Sequence, residues 1–410
     1  RGAHGVYRVW YSTETFADYV IDNTFLKKLN PIKSKLCESD ASKPVDFHKM
    51  PDHIKKILYL DSPDLIVERE GEPVFSVEIS QEAGTGHNAF QRFPRIAASV
   101  ENEVPALYIY PEAIFVRRQS DTEGKYDCIN PNIFAAMESA MTIFDIPALL
   151  FYFPTLYPNA PKPGDNPKGK LLDPKYDGCP LSTSSEMQTM FDVMNLIIEK
   201  AERRTSRVRL INERQIKERR EWMQREFFHK GGGNDHVWSP ESASIEVATE
   251  SLVNYLRQFT PNCEPELLLQ REKTLIYQVD AKFRGDPYPG ALAALDYLKC
   301  RVGKTYEDRD KNLVLAWGKV TEEDGNLTMI ASKGEDSSVS QFIDKILTVR
   351  TNDNRCLLGR TFTDLQGCNI PRYYMQVRYG CTFTKVKEIR CYAYFADAIL
   401  FYDGAFWREG

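Results

Sequence analysis

One strand-rich sentence is written twice in this chain. Residues 62–80, SPDLIVEREGEPVFSVEIS, place Asp64 ahead of one apolar run and Glu78, fourteen positions later, inside a second. Residues 264–282, EPELLLQREKTLIYQVDAK, place Glu266 and Asp280 at the same fourteen-residue interval. Residues 63–80 align with 265–282 without a gap, and Pro, Leu, Arg, Glu and Val are identical at 63/265, 65/267, 69/271, 70/272 and 77/279. Chance alone supplies about one identity over a stretch of this length. Shared hairpin patterning explains the apolar matches, but not a proline and acids at a fixed interval. The repeat therefore predicts one type of domain used twice.

The flanking sequence supports that reading. A helix is predicted through residues 15–29, with Ser12 ahead of it, and strands over 64–70, 73–79 and 105–110. A helix over 88–101 separates the last two strands, and a helix over 133–144 and a strand over 147–153 close a first domain, residues 1–153. Residues 154–184 are dense in Pro, Gly, Asn and Asp and read as a linker. A long helix over 185–228 follows, in which residues 200–230 carry eleven Lys or Arg against five Glu. Three glycines at 231–233 end this 154–233 connector. The second domain, 234–410, opens on a predicted helix with Ser239 at its cap and Pro240 at its first position. Strands over 266–272 and 275–281, a helix over 290–301 and a strand over 312–318 repeat the order of the first domain. A helix over 337–347 and aromatic-rich strands fill the tail. The fold class expected is α/β, with a mixed central sheet flanked by helices in each half.

At 410 residues there is length for two full cores, and 42% hydrophobic with 27% charged residues is ordinary for a water-soluble chain. Apolar runs are far too short to span a bilayer, so no membrane association is expected. No apolar leader segment opens the chain, and nine cysteines, odd in number and without a CxxC pair, argue for free thiols and a cytoplasmic setting. A net charge of −5 neither favours nor excludes nucleic acid, since a locally basic face matters more.

Side chains two apart on a strand share a face, which pairs Glu78 with Ser80 and Asp280 with Lys282. If each hairpin forms, an acid from each strand converges at one end of the sheet. Two carboxylates a few ångströms apart repel unless a cation sits between them. A hard divalent ion, Mg²⁺ with Mn²⁺ as substitute, resolves the conflict using oxygen ligands. Such an ion polarises a phosphodiester and activates water, and a neighbouring lysine stabilises the charge that develops.

The stretch PE(x13)DAK at 265–282 resembles the PD-(D/E)xK motif of the restriction-endonuclease-like nucleases, with Glu266 for the usual Asp. PD(x13)EIS at 63–80 resembles it too, with Ser80 in place of the lysine. The resemblance covers the motif cores, about half of the chain. It implies two restriction-endonuclease-like domains and metal-dependent hydrolysis of DNA. Asp64, Glu78, Glu266, Asp280 and Lys282 are then the expected catalytic residues, and the four acids the metal ligands. Ser80 supplies no cation, so the first site borrows one, for which Gln91 and Arg92 are nearest in sequence. The family often adds an acid from the first helix, which leaves Glu14 or Asp18 and Glu246 or Glu250 open. His87, in a turn entering a helix, and Arg284, just after the second motif, are further supporting residues with equally plain structural roles.

The function expected is a Mg²⁺-dependent restriction-type endodeoxyribonuclease acting on double-stranded DNA, with one active site per half. Its oligomeric state is open between a two-site monomer and a dimer. The alternative is a nucleic-acid-binding protein whose degenerate first domain serves recognition, with at most one active site. A further rival is a structural or regulatory protein whose acids decorate sheet edges. The basic stretch over 200–230 suits either a phosphate backbone or a solvated helix laced with Glu–Arg pairs.

Overall fold

The computed structural model describes residues 5–36, 49–59, 62–81, 86–116, 125–156, 169–233, 242–259, 261–262, 264–279, 297–300, 309–331, 338, 369–370 and 397–408. Residues 5–36 and 50–233 fall in one compact unit, and those from 242 onward in a second.

In the first unit the elements run β1 (Tyr7–Tyr11), α1 (Glu14–Asn23), α2 (Leu26–Leu29), β2 (Ile32–Lys35), α3 (Asp52–Lys55), β3 (Leu65–Arg69) and β4 (Glu72–Ile79). They continue with α4 (Gly86–Glu101), β5 (Ala106–Pro111), β6 (Ala113–Val116), β7 (Lys125–Cys128), α5 (Asn132–Phe144), β8 (Ala148–Phe153), α6 (Ser185–Glu202) and α7 (Arg214–His229). Six strands form a mixed sheet in the order β2-β1-β3-β4-β5-β8. Strand β3 runs antiparallel to both β1 and β4, whereas β4, β5 and β8 are parallel to one another. The antiparallel half is built by a tight turn. Glu70 and Gly71 take φ of 50° and 83°, the twist that a two-residue hairpin connection needs. The parallel half requires crossovers, which α4 and α5 supply. The centre is apolar on both faces: Leu65, Ile66, Val67, Phe75, Val77, Leu107 and Ile109 are all essentially fully buried. Strands β3, β4, β5 and β8 and helices α4 and α5 lie where the sequence predicts them.

The expected connector over 154–233 is not a connector. Helix α6 ends with Arg204 in a left-handed conformation (φ 53°), a 3₁₀ turn over Arg207–Asn212 follows, and α7 turns back. Both helices pack on β8, the last strand of the sheet. An edge strand exposes unpaired backbone groups, and side chains from these helices satisfy them. The Leu150 carbonyl accepts from Arg219 Nε at 2.9 Å, and the Leu150 N–H points to Met223 Sδ at 3.5 Å. The Tyr152 N–H donates to Glu186 at 2.9 Å. Arg219 also forms a two-pronged ion pair with Glu186, at 3.0 and 2.6 Å, and lies 3.6 Å over the Trp222 ring. Much of the basic stretch is spent in this way. Lys200 pairs with Glu213, Arg203 with Glu199, Arg214 with Glu218, Arg220 with Glu138 and Lys230 with Glu112. Its charge is largely matched within the unit.

The second unit runs β9 (Ser242–Ala248), α8 (Thr249–Arg257), α9 (Glu266–Leu269), β10 (Lys273–Val279), β11 (Lys311–Ala316), β12 (Gly318–Glu323), β13 (Asn326–Ala331), β14 (Asn369–Ile370), β15 (Ala398–Phe401) and β16 (Gly404–Arg408). Its sheet has the order β14-β16-β15-β11-β10-β9, with β10, β11 and β15 parallel and β9 antiparallel at one edge. Leu252, Leu256, Leu268, Ile276, Val314 and Leu400 form its core. Two sequence expectations fail here. The helix expected over 239–259 begins only at Thr249, because Ile245 and Val247 alternate with Ser244 and Glu246 and pair as a strand with β10. The strand expected over 266–272 is a single helical turn followed by the entry to β10. Strand β9 already occupies the antiparallel position beside β10, so that run has no ladder to join. Of the helix expected over 290–301 only residues 297–300 are described, three of them helical, and the helix over 337–347 lies outside the described residues but for Ser338. The parallel strands are pinned at their starts by polar groups: Asn312, fully buried, donates to the Leu268 carbonyl at 2.9 Å, and Arg309 pairs with Asp397 at 2.5 Å.

Removing Arg219 leaves the Glu186 charge unbalanced, with only the Tyr152 N–H on it, and the Leu150 carbonyl unmet. Arg219→Ala is therefore expected to destabilise the first unit by about 3 kcal/mol and to lower its Tm by roughly 6–12 °C, read by thermal unfolding.

Candidate functional site

Strands β3 and β4 bring two of the expected acids to the same end of the first sheet. Asp64 sits at the bend ahead of β3, with its backbone held on both sides: its carbonyl accepts from Ser12 N–H at 2.9 Å and its N–H donates to the Val77 carbonyl at 3.1 Å. Its side chain binds back across the hairpin, Oδ2 accepting from Ile79 N–H at 2.9 Å and Oδ1 from the Ser12 hydroxyl at 3.1 Å. Asp64 is half-buried and Ser12 exposed, so this is the open side of the cluster.

Glu78 forms the floor. It is the penultimate residue of β4 and only 2% exposed. Oxygen Oε1 accepts from the guanidinium groups of both Arg92 and Arg95, while Oε2 is buried with no hydrogen-bond partner among the described residues. The two arginines stand three apart on α4 and so share a face. One turn further along that face, the Ser99 hydroxyl meets Ser76 of β4 at 2.6 Å. Residues two apart on the strand thus meet residues three and four apart on the helix, which seats α4 directly over Glu78.

Burial above all pushes the Glu78 carboxyl up to about 7. Arg95 and Arg92 pull it down, and the neighbouring Asp64 charge pushes it up.

Ser80 is fully buried, and its N–H donates to the Ile109 carbonyl at 2.8 Å. Of the cations proposed to replace the missing lysine, Arg92 is present at Glu78. Arg95 joins it, a residue sequence reasoning passed over although it lies one helical turn beyond Arg92. A lysine also arrives from the stretch read as a linker: Lys170 donates to the carbonyl of Gln81, three residues past Glu78. His87 and Gln91 lie on α4, with side chains outside the described residues. Glu14 and Asp18 lie on α1, where both pair with Lys33, at 2.6 and 3.0 Å.

Of the second set of expected residues the described structure places Glu266, Glu246 and Glu250. Glu266 is exposed on the first turn of α9, ahead of β10, while Val279 ends that strand. Six steps along a strand span about 20 Å, so Glu266 precedes the end of β10 opposite to Val279. Asp280, Lys282 and Arg284 themselves lie outside the described residues. Glu246 is on β9 instead of a first helix, paired with Lys273 at 3.0 Å and Lys311 at 2.9 Å. Glu250 lies in the first turn of α8 and pairs with Arg257 at 3.1 Å on the surface.

Whether the Asp64–Glu78 pair suits a divalent ion follows from its donors. Among the described residues no group of three or more His, Cys, Asp or Glu is placed to hold a metal. Mg²⁺ asks for less, since it keeps several waters and takes one or two carboxylates. Asp64 and Glu78, with Oε2 unengaged, fit that demand. No helix among the described residues is long and apolar enough to cross a membrane. Comparison with family models, curated proteins and solved structures gives no match.

The raised Glu78 carboxyl makes a prediction independent of activity. A carboxyl whose folded pKa exceeds its unfolded value binds its proton more tightly when folded. Its contribution to stability is therefore greatest below about 4.5 and declines as pH rises through about 7. In chelator-treated protein the denaturant midpoint should fall between pH 5 and pH 8, and Glu78→Gln should flatten that fall.

Proposed function

We propose that the first unit is the working half of a metal-dependent endonuclease that hydrolyses phosphodiester bonds of DNA, as the PD-(D/E)xK resemblance implies. One observation carries this reading. Glu78 is a fully buried carboxylate beside Asp64, with one oxygen held by two arginines and the other without a partner among the described residues. A fold built for stability alone gains little from such an arrangement, because buried charge is costly to desolvate. The site also stands at the carboxyl ends of the parallel strands, where open α/β sheets bind ligands.

When bound between Asp64 and Glu78, a divalent ion would polarise the phosphodiester and lower the pKa of attacking water. The protein's part is to orient and to supply charge. Asp64, fixed by the Ile79 N–H and the Ser12 hydroxyl, presents its carboxylate on the open side, where a DNA backbone arrives first. Arg92 and Arg95 hold fixed positive charge in place of the motif lysine, stabilising negative charge on the phosphate as the bond breaks. Arg92 is the more exposed, at 26% against 12% for Arg95, and is the one closer to an arriving phosphate. Arg95 keeps Glu78 in place.

A second reading has its own observation. Two guanidinium groups already balance two carboxylates, so the cluster is charge-neutral without a metal, as suits a domain retained for recognition. One assay separates the two. Supercoiled plasmid is expected to be cut with Mg²⁺ and left intact with EDTA. Glu78→Ala and Arg92→Ala should each slow single-turnover cleavage by roughly a hundredfold. Plasmid that is bound but never cut would leave recognition as the function.

A further inference from the structure

A second buried polar atom faces this site. Among the described residues the hydroxyl of Tyr108, fully buried, finds no hydrogen-bond partner, and neither does Oε2 of Glu78. The two residues lie directly opposite one another on β5 and β4, in parallel register, so their side chains leave the sheet on the same face. That face is covered by α4, which packs on both strands and carries Arg92 and Arg95. Tyr108 senses the same cluster: burial raises its hydroxyl pKa, Arg92 opposes the rise, and Glu78 adds to it.

A single orphaned hydroxyl in a core is a packing compromise. Two orphaned oxygen atoms on paired residues call for a common cause. Phenylalanine would fill the space of Tyr108 with no unmet group, so the hydroxyl costs stability unless something meets it. Both atoms are satisfied by one polar guest that takes a carboxylate oxygen on one side and a hydroxyl on the other. A hydrated divalent cation has that character: Glu78 offers a ligand oxygen, and Tyr108 offers a hydrogen-bond partner for a metal-bound water. The Tyr108 ring is fixed edge-on against Tyr110 with centroids 5.2 Å apart, which holds the hydroxyl in place.

We propose that Tyr108 is a positioning residue of the Asp64–Glu78 site, its hydroxyl orienting a water in the shell of a divalent cation. The proposal rests on the divalent-cation reading of that site. It enlarges the site from a hairpin to the adjoining parallel strand.

The test is Mn²⁺ binding to chelator-treated full-length protein, followed by the electron paramagnetic resonance of free Mn²⁺, in the wild type, Tyr108→Phe and Tyr110→Phe. Thermal unfolding of each is measured without and with Mn²⁺. Tyr108→Phe should bind Mn²⁺ about tenfold more weakly, the lower end of what loss of an outer partner costs. It should be as stable as the wild type, or more so, without metal, and gain less stability from Mn²⁺. Tyr110→Phe, a neighbour on the same face, should bind as the wild type does. Equal Mn²⁺ affinity in Tyr108→Phe and wild type would overturn the role of Tyr108 while leaving the carboxylate site standing. A wild type that binds no Mn²⁺ would overturn both.

Discussion

The first unit is organised around a carboxylate placed where a carboxylate is hardest to keep. Glu78 lies in the floor of the sheet, among strands whose central residues are mostly aliphatic or aromatic. Burying its charge is tolerable only with positive groups close by, and those come from α4. The helix cannot slide or rotate without pulling Arg92 and Arg95 from Glu78 and Ser99 from Ser76. Because α4 crosses over to β5, the same contacts help to set β5 beside β4. Asp64 completes the arrangement by tying the start of β3 to the end of β4. One buried charge thereby fixes a helix, a crossover and a hairpin end.

The first half of the chain was readable because its signals are local. Strands β3 and β4 are short apolar runs joined by Glu70 and Gly71, and α4 and α5 keep helical periodicity between them. The pairing of Asp64 with Glu78 followed from the hairpin alone. The second half was misread where two local signals compete. Residues 242–248 carry both a helix-start pattern and strand alternation, and pairing with β10 decides for the strand. Once β9 is in place, the run from Glu266 to Leu269 has no partner and coils into one turn. In the first half the fourteen-residue spacing joins adjacent strands; in the second, Glu266 opens a helical turn and Asp280 lies outside the described residues.

Tertiary pairing was the other illegible part. The positive charge of residues 200–230 looked available for a polyanion, yet Arg219, Arg220 and Lys230 are matched by Glu186, Glu138 and Glu112. Those partners lie 33, 82 and 118 residues away along the chain. Helical spacing says nothing about contacts at such separations. Arg95 and Tyr108 escaped notice for the same reason: each has meaning only once α4 and β5 are laid on β4.

The covering of β8 by α6 and α7 bears on where this chain can be divided. Sequence composition invites a cut after Phe153, at the end of the last sheet strand, with everything from 154 to 233 discarded as tether. Such a fragment would carry a bare sheet margin, with the Leu150 carbonyl and the Tyr152 N–H open to any passing strand. Its natural failure is self-association by strand addition, which would pass for an insoluble or inactive domain. The compact first unit ends at Gly233, and the apparent tether is what covers the margin of its sheet.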